Sequence, residues 1–559
     1  MPRLALEQRA KRSALLFVVL FAFAEISSAQ NNAAPSPQTA NSSSSASTPA
    51  TSKDTATTIK LRVNLVQVRV VVRDSKGNPV RGLTREDFQL QDNGKTQVIS
   101  NFSVETRESR LERSVAAAKT QILPPEFVNA PAPILPDRFI MLAIDRGQMS
   151  VGELIEAREA AAKFMDALSP TDRIALFDTF KGQFSNDFTG DLQKIRDALA
   201  GISAVPDKET SHIVNGLGQP EATRGGRTTH QDLESAPAPG FNFDYMMDAM
   251  RILSRMPGER VLVLISPGFN VPGLDMTDLR RVLAKADPSK IVVNTLDIRG
   301  LYTPDTHAPY TETSTTQENL TGIRQNLITQ REQTLGLITL AEQTGGICFR
   351  DSNDFTAGLK RLGAAPEVSY LLGFTPQNVK MDGSYHKLKV TVTRLNRLGD
   401  PIYETQARRG YFAPNEGSDP REQSRDELQD ALFSQDEIRD FPFELQTQYL
   451  KKDPVGGELS ILSRLQMNNV PFRLVAGRHV DSLTLATSIF DANGNFVVGG
   501  QKVLDLNLVD ASYQKIVQAG LTVKTGFDLK PGKYIVRQVV RDSENSQMAA
   551  RNGTAVVPD

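Results

Sequence analysis

Few residues in this 559-residue chain are placed to do chemistry, and the first is Asp145. It ends the apolar run Phe139-Ile-Met-Leu-Ala-Ile144. A carboxylate at the carboxyl end of a buried strand stands where open α/β sheets bind their ligands. Just beyond it, Ser150-Val-Gly-Glu153 has the spacing of a capping box, in which hydroxyl and carboxylate satisfy backbone N–H groups at a helix start. The five histidines, His212, His230, His307, His386 and His479, are scattered, and no H-E-x-x-H pair offers metal-ligand spacing. His212, His230 and His307 fall in polar loops and are expected to be solvated. There is no G-x-S-x-G elbow and no Walker loop; Gly225-Gly226 and Gly345-Gly346 read as loop and helix-stop glycines. Cys348, the only cysteine, lies in the apolar run Gly346-Ile-Cys-Phe349 and reads as a buried small hydrophobe rather than a nucleophile. Asp491-Ala-Asn-Gly-Asn495 lacks the later bidentate Glu of a Ca2+ loop and reads as a hairpin turn. With no nucleophile–base set, an enzyme is not expected.

The elements around Asp145 alternate strand and helix. After the strand at 139–144, a helix is expected from about Val151 to Leu168, with Leu154, Ala157, Ala161, Phe164, Met165 and Leu168 on one face. Strands follow at 174–180, 260–265, 291–296 and 347–349, with an antiparallel edge at 183–188. Helices are expected at 191–202, 243–254, 276–285, before Gln343, and at 355–362. Uniformly apolar strands between amphipathic helices mean a doubly wound, mostly parallel sheet covered on both faces. Residues 204–240 and 302–326 read as polar excursions.

On either side the periodicity changes to two. Ile59, Leu61, Val63 and Leu65 alternate, then Val66, Val68, Val70 and Val72 carry on in shifted phase, which requires a bend near Leu65-Val66. Strand patterns return at 369–374, 388–394 and 403–412. Residues 59–107 and 365–414 are each too small to stand alone. They are expected to pair as one split β-sandwich with the α/β domain, 135–364, inserted between them. Residues 415–440 read as a linker with a helix near 428–433, and 441–559 as an all-β C-terminal sandwich.

The N-terminus points to export. Arg3, Arg9, Lys11 and Arg12 precede the apolar run Leu15–Ala24, and Ser27-Ser28-Ala29 forms a small-residue cleavage site. That order is a secretory signal peptide spanning 1–29. Its apolar run is about half the ~20 residues of a membrane-spanning helix, and no later stretch is apolar enough to span a bilayer. Residues 30–58, rich in Ser, Thr, Ala and Pro, read as a disordered spacer. A periplasmic or extracellular protein follows. Its formal net charge of -1 argues against a nucleic-acid partner.

Several motifs together resemble a known family. They are Phe139–Asp145 with the helix after it, Val261-Leu-Val-Leu-Ile-Ser266 and Ile291–Gly300. Flanking them are Val63–Val70 with Gly82–Phe88, then Thr344-Gly-Gly346, Tyr370–Pro376 and Arg409-Gly-Tyr-Phe412. In this order, over about residues 59–414, they resemble the bacterial VWFA-related domain family, whose centre is a von Willebrand factor A-type domain. The resemblance implies a divalent-cation site built from a D-x-S-x-S loop, a Thr and a second Asp, whose open position accepts a partner's carboxylate. Such hard oxygen ligands suit Mg2+. The matching positions here are Asp145, Ser150, Asp244 and Ser266. The site is degenerate: Gly147 and Met149 stand at two hydroxyl positions, and Ser266-Pro-Gly268 replaces S-D-G. Arg146 is expected to sit beside Asp145 and supply the charge a metal would. The resemblance therefore implies an exported protein that binds a protein or cell-surface ligand, with no cofactor expected. A structural component of an envelope assembly is the alternative, and a hydrolase the remote one.

Overall fold

The computed structural model describes residues 66–106, 108–110, 112, 121–122, 136–184, 187–204, 241–269, 277–287, 289–301, 316–376, 382–394, 403–413, 420–435, 437–451, 457–468, 470–545 and 547–558. The signal peptide, the spacer, the bend expected at Leu65, residues 205–240 and His212, His230 and His307 lie outside them.

Four strands come first: β1 (Val66–Asp74), β2 (Phe88–Asp92), β3 (Lys95–Gln97) and β4 (Ile99–Thr106). The two-residue β5 (Gln121–Ile122) follows. The α/β region then runs β6 (Arg138–Ile144), α1 (Val151–Met165), β7 (Asp172–Asp178), β8 (Gln183–Phe184), α2 (Leu192–Ala200) and α3 (Phe243–Leu253). It continues with β9 (Glu259–Ser266), α4 (Thr277–Ala286), β10 (Ile291–Asp297), α5 (Thr316–Thr344), β11 (Cys348–Phe349) and α6 (Phe355–Gly363). Next are β12 (Val368–Phe374), β13 (Tyr385–Val392), β14 (Tyr403–Ala407), β15 (Gly410–Phe412) and α7 (Pro420–Phe433). The last part holds β16 (Ile438–Arg439), β17 (Phe443–Lys451), β18 (Gly457–Leu465), β19 (Arg473–Val475), β20 (Arg478–Asp491) and β21 (Phe496–Leu508). It closes with α8 (Asp510–Ala519), β22 (Leu521–Leu529), β23 (Gly532–Asp542) and β24 (Met548–Val557). The architecture is multidomain, mixed α/β plus β.

The α/β region centres on a six-stranded sheet of order β11-β10-β9-β6-β7-β8, parallel except at β8. Every residue of β6 is buried, because alternate side chains enter different cores. Ile140, Leu142 and Ile144 pack with Leu154, Ala157, Ala161 and Phe164 of α1, Ile195 and Leu199 of α2, and Leu359 of α6. Phe139, Met141 and Ala143 face Met246, Met250 and Leu253 of α3, Val282 of α4, and Leu337 and Leu340 of α5. Each fully buried Leu, Ile or Phe contributes about 1.5–3 kcal/mol by leaving water. The chain leaves β6 for β7 on one side and reaches β9 on the other, so the winding reverses between β6 and β9.

In the flanking sandwich each sheet mixes strands from both sides of the α/β region: β14-β1-β12-β4 and β15-β13-β2-β3. Val70 of β1 pairs with Tyr370 of β12 on one edge and Ala407 of β14 on the other. Val68, Val70 and Val72 are fully buried against Tyr370, Leu372 and Phe374. The C-terminal sandwich stacks β22-β18-β17-β5 on β16-β24-β23-β20-β19, with β21 on β20.

Three expectations need correction. The polar excursion 302–326 gives way to helix by Thr316, since α5 spans 29 residues. The helix expected near 428–433 is present but starts at Pro420, so most of 415–440 is α7 rather than linker; Leu428 and Ala431 pack on Ala486, Val539 and Ala550. The C-terminal region is not all β, because α8 lies between β21 and β22. Its sheet also recruits a strand from far upstream: β5 pairs parallel with β17, Gln121 opposite Thr447.

Candidate functional site

The parallel register fixes what meets at the carboxyl edge of the sheet. Ile144 pairs with Asp178 on β7 and with Ile265 on β9, so Asp145, Thr179 and Ser266 are neighbours at the reversal point. Ser266 Oγ donates to Asp145 Oδ2 at 2.8 Å, and Thr179 Oγ1 donates to Asp145 Oδ1 at 3.2 Å. Ser266 Oγ in turn accepts the Gly268 N–H at 3.0 Å, which ties down the Ser266-Pro-Gly268 turn. Gly268 has φ +99°, a conformation other residues rarely adopt. Asp145 is 3% exposed. Burial pushes its carboxyl up to about 6; the two hydroxyl donors oppose the rise, and the nearby Asp178 adds to it.

Arg146 does not pair with Asp145, contrary to expectation. Its Nε donates to Asp178 Oδ2 at 2.8 Å and its Nη1 to the Ser203 carbonyl at 3.1 Å. The guanidinium lies over the Phe180 ring, 4.9 Å from the centroid. The physical reason is strand order: Asp178 sits on the adjacent β7 and is the acceptor the guanidinium reaches. Asp178 Oδ1 takes the N–H groups of Phe180 and Lys181. A second ionic knot closes the β10 end, where Arg299 grips Asp297 through Nε (2.8 Å) and reaches Gln333 and Thr334 of α5.

Of the residues the resemblance implied, the structure brings together Asp145 and Ser266 only. Ser150 is the N-cap of α1: its Oγ accepts the Glu153 N–H at 3.3 Å, and Glu153 Oε2 accepts the Ser150 N–H at 2.7 Å. Asp244 lies on the surface in the first turn of α3, 75% exposed at its side chain, with Arg281 Nη2 3.1 Å away. Gly147 leaves no room for the hydroxyl it replaces, because a Cβ there would stand 2.4 Å from Phe180 Cδ2. Met149 is turned into the core. With Thr179, three oxygen-bearing side chains converge, but both hydroxyls already donate to the Asp145 carboxylate, which does not fit a hard divalent cation needing about six oxygens. Among the described residues no three acid, His or Cys side chains gather as a metal set.

Sequence reasoning missed Thr179 and Asp178. The expected strand at 174–180 placed both inside it, whereas β7 ends at Asp178. The available signal was position: the first residues past a strand adjacent to β6 must face Asp145. Cys348 is half-buried rather than buried, beside Thr295. His386 and His479 sit in the two sandwiches. His386 Nδ1 lies 2.9 Å from Asp92, and Tyr411 OH donates to Asp92 at 2.9 Å, a knot joining β13, β15 and β2. Asp491–Asn495 is a hairpin turn between β20 and β21.

No family model matches the chain, and no curated protein matches it. Among solved structures, a glycosyl hydrolase family 2 member from Bacteroides cellulosilyticus is similar at 11% identity and TM-score 0.15, covering 36% of this chain and 21% of that one. A Bacteroides uniformis beta-glucuronidase gives 12% identity and TM-score 0.14, over 36% of this chain and 20% of that one. Dimeric latent PorU from Porphyromonas gingivalis gives 14% and 0.13, over 34% and 13%. The chain thus spans about a fifth or less of the length of these structures. Likeness at such scores carries no argument about fold or activity.

Proposed function

We propose that the chain is an exported, non-enzymatic binding protein of the VWFA-related kind. Its von Willebrand factor A-type domain, inserted in a split sandwich, engages a protein or cell-surface ligand through the loops at the carboxyl end of its sheet, without a cation. The observation that carries this reading is apolar surface at that end. Val151 (63% exposed) and Ile155 (50%) lie one helical turn apart on the outer face of α1, and Leu301 (65%) follows β10. Apolar side chains left in water beside a sheet's ligand-binding edge are the kind of surface a partner covers. The closed Asp145–Thr179–Ser266 network beneath them supplies rigidity rather than an open coordination position. Among the described residues no helix is long and apolar enough to cross a membrane.

The test is a pull-down from secreted and envelope fractions with the mature chain and with a Val151→Glu, Ile155→Glu, Leu301→Glu variant. A partner retained in EDTA and lost in the triple variant is expected. A partner released by EDTA, or indifferent to the triple variant, overturns the reading. A second reading, a packing unit in an envelope assembly, is favoured by how firmly the α/β region is fastened to both sandwiches. Arg69 of β1 meets Glu259 at 2.7 Å, Gln435 Nε2 donates to the Pro136 carbonyl at 2.6 Å, and Asn495 Nδ2 donates to the Phe188 carbonyl at 3.2 Å. Co-purification with fixed, stoichiometric partners that the triple variant keeps would select it.

A further inference from the structure

We propose that Asp481, buried beside Asp542 in the C-terminal sandwich, holds a proton that it donates to Asp542, so that the turn entered at Asp542 and the segment it pins loosen as pH rises. Asp481 on β20 is 1% exposed, and Asp542 at the end of β23 is 0% exposed. Asp542 is committed as an acceptor. Its Oδ1 takes the N–H groups of Glu544 (2.8 Å) and Asn545 (3.0 Å), and its Oδ2 takes Asn545 Nδ2 (2.7 Å). Asp481 Oδ1 accepts the Ser482 N–H at 2.8 Å. Asp481 Oδ2 is buried and has no donor. The antiparallel register that pairs Leu483 with Asp542, with the Ser543 N–H donating to the Ser482 carbonyl, sets the Asp481 side chain diagonally beside Asp542 on one face of the sheet.

The charged groups around the pair do not neutralise it. Arg473 of β19 pairs with Glu544 at 3.4 Å, and Arg541 reaches Glu427 of α7 at 3.5 Å. On β21, Asp505 accepts from Ser482 Oγ at 2.8 Å. On the α8 side, His479 lies 3.2 Å from Asp510 and stacks on Tyr513. Among the described residues neither Asp481 nor Asp542 forms an ion pair. Two carboxylates in contact and out of water cannot both be ionised. A proton on Asp481 Oδ2, donated to Asp542, satisfies the one oxygen that lacks a partner. Burial first, then the charges of Asp542 and Glu544, push the Asp481 carboxyl up to about 7.

The pair also holds a piece of structure. Ser543 N–H donates to the Ser482 carbonyl (2.9 Å), Asp542 N–H to the Gln547 carbonyl (2.9 Å), and Asn545 Nδ2 to the Pro471 carbonyl (3.0 Å). The turn thereby ties β20 and β24 to the segment leading into β19. For an acid whose folded value is raised, the stabilisation is complete below the ordinary value of 3.8 and is lost as pH rises through about 7. Ionisation sets two like charges against each other and loads the turn.

The experiment is hydrogen exchange by mass spectrometry on the full chain at pH ~6 and ~8, with rates corrected for intrinsic pH dependence. In the wild type, protection at 472–475 and 543–545 is expected to fall roughly tenfold between the two pH values, while β12 of the other sandwich stays constant. Asp481→Asn, whose amide donates to Asp542 at every pH, is expected to keep that protection at pH ~8. Constant wild-type protection overturns the proposal, and this result stands even if the variant fails to fold. Protection lower in Asp481→Asn than in wild type at both pH values overturns it as well. So does restoration of wild-type protection at high pH by Ca2+ alone, which would place a cation where the proton is assigned.

Discussion

Replacing Asp145 with Asn separates a closed hydrogen-bond network from a cation site. The carboxyl is 3% exposed and raised from 3.8 to about 6, chiefly by burial. A folded value above the unfolded one means that its stabilisation is full below about pH 4 and is lost as pH rises through about 6. Two units correspond to ~3 kcal/mol of cost at pH ~8 for keeping this group ionised inside the protein. Asn removes that cost and keeps the shape. It weakens the bonds from Ser266 Oγ and Thr179 Oγ1, each worth ~1 kcal/mol more to a charged acceptor than to a neutral one. The balance for Asp145→Asn at pH ~8 is between neutral and about 2 kcal/mol stabilising, and at pH ~4 it is close to zero. Urea unfolding followed by circular dichroism at both pH values, with Mg2+ and with EDTA, measures it. A loss above about 2 kcal/mol at pH ~8 refutes the reasoning. A Mg2+ stabilisation of the wild type that the variant lacks refutes it too, because the carboxylate would then be holding a cation.

Rebuilding the hydroxyl loop with Gly147→Ser and Met149→Ser is expected to cost about 1–3 kcal/mol or more and to create no Mg2+ response, since Phe180 already occupies the space; a Mg2+-dependent rise in melting temperature would contradict this. At the opposite end of the same sheet, Arg138 grips Asp172 with Nε at 3.1 Å and Nη2 at 2.7 Å, with both side chains under 5% exposed. Asp172→Asn should therefore cost about 3–5 kcal/mol in urea unfolding, and a loss below about 1 kcal/mol would show that the buried pair contributes little.

What the sequence by itself determined is local. The run Phe139–Ile144, apolar at every position, specified a strand buried on both faces, and the spacing of Ser150 and Glu153 specified the start of α1. Residue type also sufficed for the turn at Asp491–Asn495, where side-chain and backbone geometry act within five residues. Where polar residues cover a helix, periodicity carries no signal. The first turns of α7 read Pro-Arg-Glu-Gln-Ser-Arg-Asp-Glu, so only its end near 428–433 was legible, and Leu428 and Ala431 pack it on a distant sheet. The two-residue β5 has no pattern at all and exists through its pairing with β17.

The candidate site divides in the same way. Asp145 stood out because a carboxylate ends an apolar strand. Its partners did not, because Thr179 and Ser266 lie 34 and 121 positions away and meet it only through the parallel register of β6 with β7 and β9. Register likewise handed Arg146 to Asp178 and set Phe180 against Gly147. Spacing along the chain names the groups able to do chemistry. Which of them are neutralised, buried or left facing water is a matter of long-range pairing, and only the tertiary structure decided it.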